Sequence, residues 1–310
     1  MVEPHGDISL FFIPFAIHNR ADTEMNDRWL WIDTAAKMAE AKGNIDKTSI
    51  ICVDTEYDSF RYFRDVLCLI QVEASGRTYL FDPLGNLDFS FLGKIFEDPA
   101  IIKVMHAGDN DIRILKRNYG FEFKNIFDTH RAASILGCHY LALSALINQY
   151  LGIELKKDKK MQRSQWESRP LTEEQIHYAV EDTAYLKDLY LKLEDEITNH
   201  GFKKKAAKAF DSIAGVTWNE KSFNPHGYKN IKGYPFLTES QKHYLMLLYR
   251  WRFQKAQETN IARFRIISDQ IMVELAKAEP SNIETLKNTG ILSSEKVNSY
   301  GQEIIEAITK

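Results

Sequence analysis

The sequence predicts an α/β domain followed by a smaller all-helical one. Three observations predict this. Short apolar runs alternate with helical patterns through the first two-thirds of the 310-residue chain. Strand signals stop after Gly201. Between the two kinds of pattern lies Thr217–Pro235, rich in Gly, Pro, Asn and aromatic residues and without periodicity, which reads as a locally packed linker.

Taken in order, the chain opens with an apolar stretch, Ser9–Ile17, that is too short to span a bilayer, is broken by Pro14, and follows an acidic start. It reads as neither an anchor nor a signal peptide, and leaves residues 1–29 as a leader, either a local strand or a disordered stretch. A helical pattern follows over Trp31–Lys42. Ser49–Asp54, Leu67–Glu73, Thr78–Asp82 and Ile101–His106 read as strands, each bounded by turn or charged residues. The first three are close enough together to form an antiparallel meander. Asp109–Tyr119, Leu141–Leu151 and Thr172–Ile197 carry apolar residues at helical spacing. Beyond the linker, Leu237–Thr309 holds only helical patterns, opened by a capping box at Thr238-Glu-Ser-Gln241.

Composition bounds the class. A hydrophobic content of 44% is ordinary for a protein that buries full cores without disulfides. The three cysteines, Cys52, Cys68 and Cys138, form no CxxC pair and read as buried thiols in a reducing cytosol, so the expected location is cytoplasmic. The formal net charge of −3 hides an asymmetry. Between Lys203 and Arg265 there are 13 Lys/Arg against four acids, and everywhere else acids are in excess. Such a block suits a polyanion, and equally suits a solvated helical face.

The chemistry is carried by acids. Asp54-Thr55-Glu56 ends the first strand of the meander, and residues two apart on a strand point to one side, so both carboxylates can converge just beyond a buried run. Paired carboxylates repel unless a cation lies between them, and hard oxygen ligands suit Mg²⁺ or Mn²⁺. The rival reading is a pair of solvated acids at a strand end. The next strand ends in His106-Ala-Gly-Asp-Asn-Asp111 and turns into a helix, which can deliver Asp109 or Asp111 to the same rim. Asp109 suits the N-cap of that helix better than a metal. On a later helix, Tyr178 and Asp182 are four apart, about 40° around the axis, so a phenol and a carboxylate can reach one site. The rival there is a core aromatic beside a solvated acid.

With these residues in place, the sequence resembles the ribonuclease D group of the DEDD exonuclease superfamily. Asp54 and Glu56 match its first motif, HAGDND with Asp111 its second, and Tyr178-x-x-x-Asp182 its third. The strings DVLCLIQVEASGRTYLFDPL, FDTHRAASILG and QRSQWESRPLTEEQIHYAVEDTAYL match as well, so the likeness runs from about Trp31 to Asp211. It implies an RNase H-like α/β mixed-sheet fold. It further implies two divalent cations, Mg²⁺ or Mn²⁺, held by Asp54, Glu56, Asp111 and Asp182. Tyr178 would position the attacking water, because a free phenol with a pKa of roughly 10 is a poor base.

His177 is five residues before Asp182, the spacing of the histidine branch of the superfamily. Five residues turn about 140° on a helix, and the YAVEDTAYL context resembles the tyrosine branch, so Tyr178 is the expected partner. Asp82, before Pro83, suits a turn after a strand, and Asp128 suits a helix start after an edge strand.

Lys229–Asn260 and the later Asp269–Lys277 resemble an HRDC domain, a helical bundle. Its apolar positions Leu245, Leu248, Trp251, Ile271 and Leu275 read as core, and Arg250, Arg252, Lys255, Arg263 and Arg265 as candidate phosphate contacts. The basic loop Lys156–Lys160 with Arg163 precedes the catalytic helix; the resemblance implies that it flanks the site and helps hold the incoming strand, and the alternative is a flexible solvated loop. The expected organisation is a leader over 1–29, a 3′→5′ exonuclease domain over 30–215, a linker over 216–235 and an HRDC domain over 236–310. The resemblance implies an exoribonuclease that trims single-stranded RNA 3′ ends, tRNA precursors among them, to nucleoside 5′-monophosphates. The alternatives are a DNA exonuclease cutting with the same acids, or a non-catalytic nucleic-acid-binding scaffold, which would be expected to lack one or more of them.

Overall fold

A computed structural model of the protein describes residues 28–155 and 160–309. Most of the proposed leader and residues 156–159 of the basic loop lie outside the described residues. The N-terminal part contains β1 (Trp29–Ile32), α1 (Ala35–Ile45), β2 (Ile50–Asp58), β3 (Val66–Ala74), β4 (Arg77–Phe81), α2 (Ser90–Glu97) and β5 (Ile102–Met105). It continues with α3 (Asp109–Tyr119), β6 (Ile126–Asp128), α4 (Thr129–Leu136), α5 (Leu143–Leu151), α6 (Glu173–Ala184), α7 (Leu186–Asn199) and α8 (Lys203–Ala214).

The strands form one mixed sheet in the order β1-β4-β3-β2-β5-β6. The central β2, β3 and β4 form the antiparallel meander, while β1, β5 and β6 join in parallel to their neighbours. Ser75 (φ 57°) and Gly76 (φ 88°) close the β3–β4 hairpin; both angles are left-handed, as a two-residue turn matched to strand twist requires. Glu73 Oε1 fixes the turn by accepting from the Gly76 N–H at 2.6 Å.

Both faces of the sheet are covered. On one, Ile51, Val53, Ile70 and Val72 pack with Ile45 of α1, Leu92 and Phe96 of α2, and Ile112 and Leu115 of α3. On the other, Leu69 and Leu80 pack with Ala179 and Val180 of α6, while Cys52 and Val104 pack with Leu186, Leu189 and Leu193 of α7. This two-sided burial is why β3 is almost continuously apolar rather than alternating.

Two helical expectations are corrected. Trp31–Lys42 is not one helix: Trp29–Ile32 forms a strand along β4, and the helix begins at Ala35 behind Thr34, whose side chain accepts from the Lys37 N–H. A four-residue apolar run beside a helix looks like that helix's first turn until its parallel partner is known. Thr172–Ile197 is two helices, interrupted at Tyr185. The cysteines are all free, but only Cys52 and Cys68 are buried; Cys138 is half-buried, 3.3 Å from the Tyr150 hydroxyl.

The C-terminal part consists of α9 (Glu239–Thr259), α10 (Arg263–Ile266), α11 (Asp269–Ala278), α12 (Ile283–Asn288) and α13 (Ser294–Thr309). Both hydrogen bonds of the Thr238/Gln241 capping box are formed. Leu245, Leu248, Trp251 and Leu275 are core, with Ile271 packed partly buried against them. The core also takes in Phe63 from the loop after β2. That loop is bonded directly to the bundle: Phe63 N donates to Asn260 O at 3.2 Å, Arg64 N to Asn260 Oδ1 at 2.7 Å, and Ala262 N to Arg61 O at 3.0 Å. Among the described residues no helix is long and apolar enough to cross a membrane.

Candidate active site

At the C-terminal end of β2, side chains from a strand and from helices on both faces of the sheet meet. Asp54 and Glu56 stand on one face of β2, at the point where its register with β3 shifts between Glu56 and Tyr57. Such irregularities commonly re-aim side chains beside active sites. From α6, Asp182 completes a group of three carboxylates whose nearest oxygens all lie within 4.8 Å of one another. From the first turn of α3, Asp111 reaches the rim from the opposite face. It lines the same cavity of about 440 Å³ as Asp54, Glu56, Tyr178 and Asp182. Thr55, on the strand between the two acids, donates its hydroxyl to Asp111 Oδ1 and so couples that helix to the strand.

The electrostatics follow from crowding. Burial, reinforced by Asp111 and Asp182, pushes the Asp54 carboxyl well above the ordinary range. Burial followed by Asp54 does the same to Glu56. Burial pushes Asp111 up to about 6 and Asp182 up to about 7. Four carboxylates that hold protons this strongly mark a place short of positive charge. Tyr178 lies beside Asp182, hydrogen-bonded to it, and burial with the nearby acids raises its pKa. Its ring packs against buried Trp166, centroids 6.0 Å apart. His177 instead points outward, half exposed, 3.7 Å from Glu181.

The loop carrying Asp111 is held by residues that sequence reasoning did not connect to the site. Fully buried Asp128 accepts from Gly108 N at 2.9 Å and from Arg131 N at 2.8 Å, so it caps α4 and pins the loop at once. Thr129 Oγ1 donates to Met105 O at 3.1 Å and lies in hydrogen-bond contact with His106 Nδ1 at 2.9 Å. Burial holds His106 down to about 4, in keeping with a neutral ring. Gly108 packs so closely on Met105 that a Cβ there would lie 2.9 Å from its methyl carbon. The expected capping role of Asp109 is corrected: Gly108 occupies the N-cap position, and Asp109 sits in the first turn facing Arg131 at 3.1 Å. Asp82 forms its turn by accepting from Leu84 N, and also pairs with Arg169 at 2.7 Å. Among the candidate phosphate contacts, Arg252 is buried against Asp269 and Ile267 O, and Lys255 pairs with Glu303, whereas Arg250, Arg263 and Arg265 are exposed.

Comparison with known proteins gives this cleft its context. Residues 29–198 match the 3′-5′ exonuclease family, and residues 241–308 match the HRDC domain. The chain is 31% identical over 281 residues to a ribonuclease D of Desulfotalea psychrophila, covering 90% of this chain and 74% of that one. The chain belongs to the ribonuclease D family. It is a 3′→5′ exoribonuclease of that type, with an α/β catalytic part and an HRDC bundle. Among solved ribonuclease D structures, the Escherichia coli RNase D, an exoribonuclease involved in structured RNA processing, superposes with a TM-score of 0.66 at 27% identity. That match covers 91% of this chain and 74% of that one. The catalytic core of RRP6 from Trypanosoma brucei superposes with a TM-score of 0.82 at 21% identity, over 91% of this chain and 79% of that one, a likeness of fold.

Proposed function

We propose that hydrolysis takes place among Asp54, Glu56, Asp111 and Asp182, and that these residues hold two divalent cations, Mg²⁺ or Mn²⁺. The observation that carries this reading is the meeting of three carboxylates within 4.8 Å at the end of a buried strand, with a fourth lining the same cavity. Hard oxygen donors suit such ions, and the raised proton affinity of every member is what a cation would relieve. Bound there, the ions would supply an activated water and charge stabilisation at the leaving 3′-oxygen. Tyr178 keeps its proton at neutral pH, donates to Asp182 and presents its phenol to the cleft, so its part is to position the water. The product would be a nucleoside 5′-monophosphate. The presence of all four acids argues against a scaffold that has lost catalysis.

The substrate in this reading is the 3′ end of single-stranded RNA, with tRNA precursors as a candidate class, and the division between catalytic and accessory domains falls within 216–235. The test uses single-stranded RNA labelled at its 5′ end, with Mg²⁺ or Mn²⁺. A stepwise ladder growing from the 3′ end, abolished by Asp111→Ala and by EDTA, is expected. Undiminished cleavage in EDTA would overturn the metal reading, and faster cleavage of DNA of the same sequence would overturn the choice of RNA.

A further inference from the structure

A second cavity, of about 700 Å³, lies where the loop after β2 meets the helical bundle. Two of its walls are exposed aromatics, Phe60 at 64% and Phe264 at 47%, with ring centroids 4.8 Å apart. Large apolar side chains are costly to leave in water, and an exposed cluster of them marks a binding surface. These two are held firmly. Buried Asp58 accepts from Phe60 N at 2.9 Å and from Arg61 N at 2.8 Å, fixing the turn that presents Phe60. Phe264 sits in α10, anchored by the Ala262–Arg61 backbone bond and the Tyr62–Ile261 bridge. The platform is thus assembled from both parts of the chain.

Two observations say what it takes. The cavity is adjacent to the carboxylate cleft, Ser59 lining both. Phe60 is only four residues beyond Glu56, at most about 14 Å along an extended chain. Its cationic lining includes exposed Arg263, which makes no ion pair with any described residue, and Arg265 nearby is likewise exposed and unpaired. The other cations there, Arg252 and Lys221, are occupied by Asp269 and Asp65. An aromatic surface beside a free guanidinium, next to a polyanion-cutting site, matches a base and its phosphate.

We infer that this groove is a stacking subsite for an RNA base upstream of the scissile phosphate. Phe60 and Phe264 offer the ring surface, and Arg263 takes the adjoining phosphate. The inference rests on the reading that the strand lies with its 3′ end among the four acids. Stacking tolerates any base, which suits an enzyme that must advance through whatever sequence it meets.

The test uses the full chain and single-stranded RNA decamers carrying 2-aminopurine at successive positions from the 3′ end, with hydrolysis arrested by EDTA. Wild type is expected to quench the probe at an internal position. The Phe60→Ala/Phe264→Ala double variant should lose that quench and bind the decamer about 5- to 150-fold more weakly, the loss of one or so stacked bases. Phe60→Trp should restore both. With metal present, the ratio of kcat/KM for the decamer over a dinucleotide should fall by a similar factor in the double variant. An unchanged decamer Kd, or an unchanged ratio, would overturn the subsite. If wild type trims neither RNA, the exoribonuclease site itself is at fault, and the quench in EDTA still reads the groove separately.

Discussion

At the residue scale, Tyr178 and His177 stand side by side in sequence and on different surfaces in space. Tyr178 faces the acids, while His177 faces solvent and Glu181. Tyr178→Phe is therefore expected to lower kcat by about 100-fold, in the range of a positioned proton-handling group. His177→Ala should change it by no more than about twofold, as surface substitutions do. Single-turnover trimming of a labelled RNA measures both. The crowding of the acids also predicts a pH dependence. Asp111 and Asp182 are held up to about 6 and about 7 from an ordinary 3.8. Between pH of about 4 and 7 the metal-free folded protein therefore binds more protons than the unfolded chain, and this contribution to stability declines as pH rises. His106, held down to about 4, acts with the opposite sign over part of that window, so the comparison must be differential. In EDTA, the Tm of wild type should fall relative to that of Asp182→Asn as pH is raised from 5 to 8. A constant difference would contradict the buried-acid account.

At the scale of elements, β2 and α3 are aligned by contacts that no local pattern announces. Asp128 reads in sequence as a helix cap, and it is one, yet its second oxygen holds Gly108 in the loop that delivers Asp111. Asp128→Ala removes both bonds from a fully buried site. It should cost about 2–3 kcal/mol in denaturant unfolding, combining a lost cap with an unsatisfied buried donor. It should also reduce trimming, by loosening Asp111. What was legible in sequence divides along the same line. The meander, the capping box at Thr238 and the acids at strand ends were legible because alternation, caps and turns are local signals. Strand β1 was not, because Trp29–Ile32 is a strand only by virtue of β4 beside it, and neither was the break at Tyr185, since the apolar period continues across it. The roles of Thr55 and Asp128 in holding the loop were also hidden, because each acts on a residue 20 or more positions away.

At the scale of the whole molecule, the loop after β2 ties that strand to the bundle, with Phe63 buried in the bundle core against Phe253, ring centroids 5.2 Å apart. The Phe63→Ala substitution should destabilise the bundle by about 3–5 kcal/mol, the cost of truncating a core aromatic. Thermal unfolding should then separate into two transitions as the parts uncouple. The proposed function turns on four acids from β2, α3 and α6 serving as one cation site, and titrating Mn²⁺ into the metal-free protein by calorimetry tests that proposal. Mn²⁺ is expected to bind wild type and to bind Asp54→Asn and Asp182→Asn far more weakly, while both variants keep the wild-type circular dichroism spectrum. Equal Mn²⁺ affinity in wild type and both variants would contradict it.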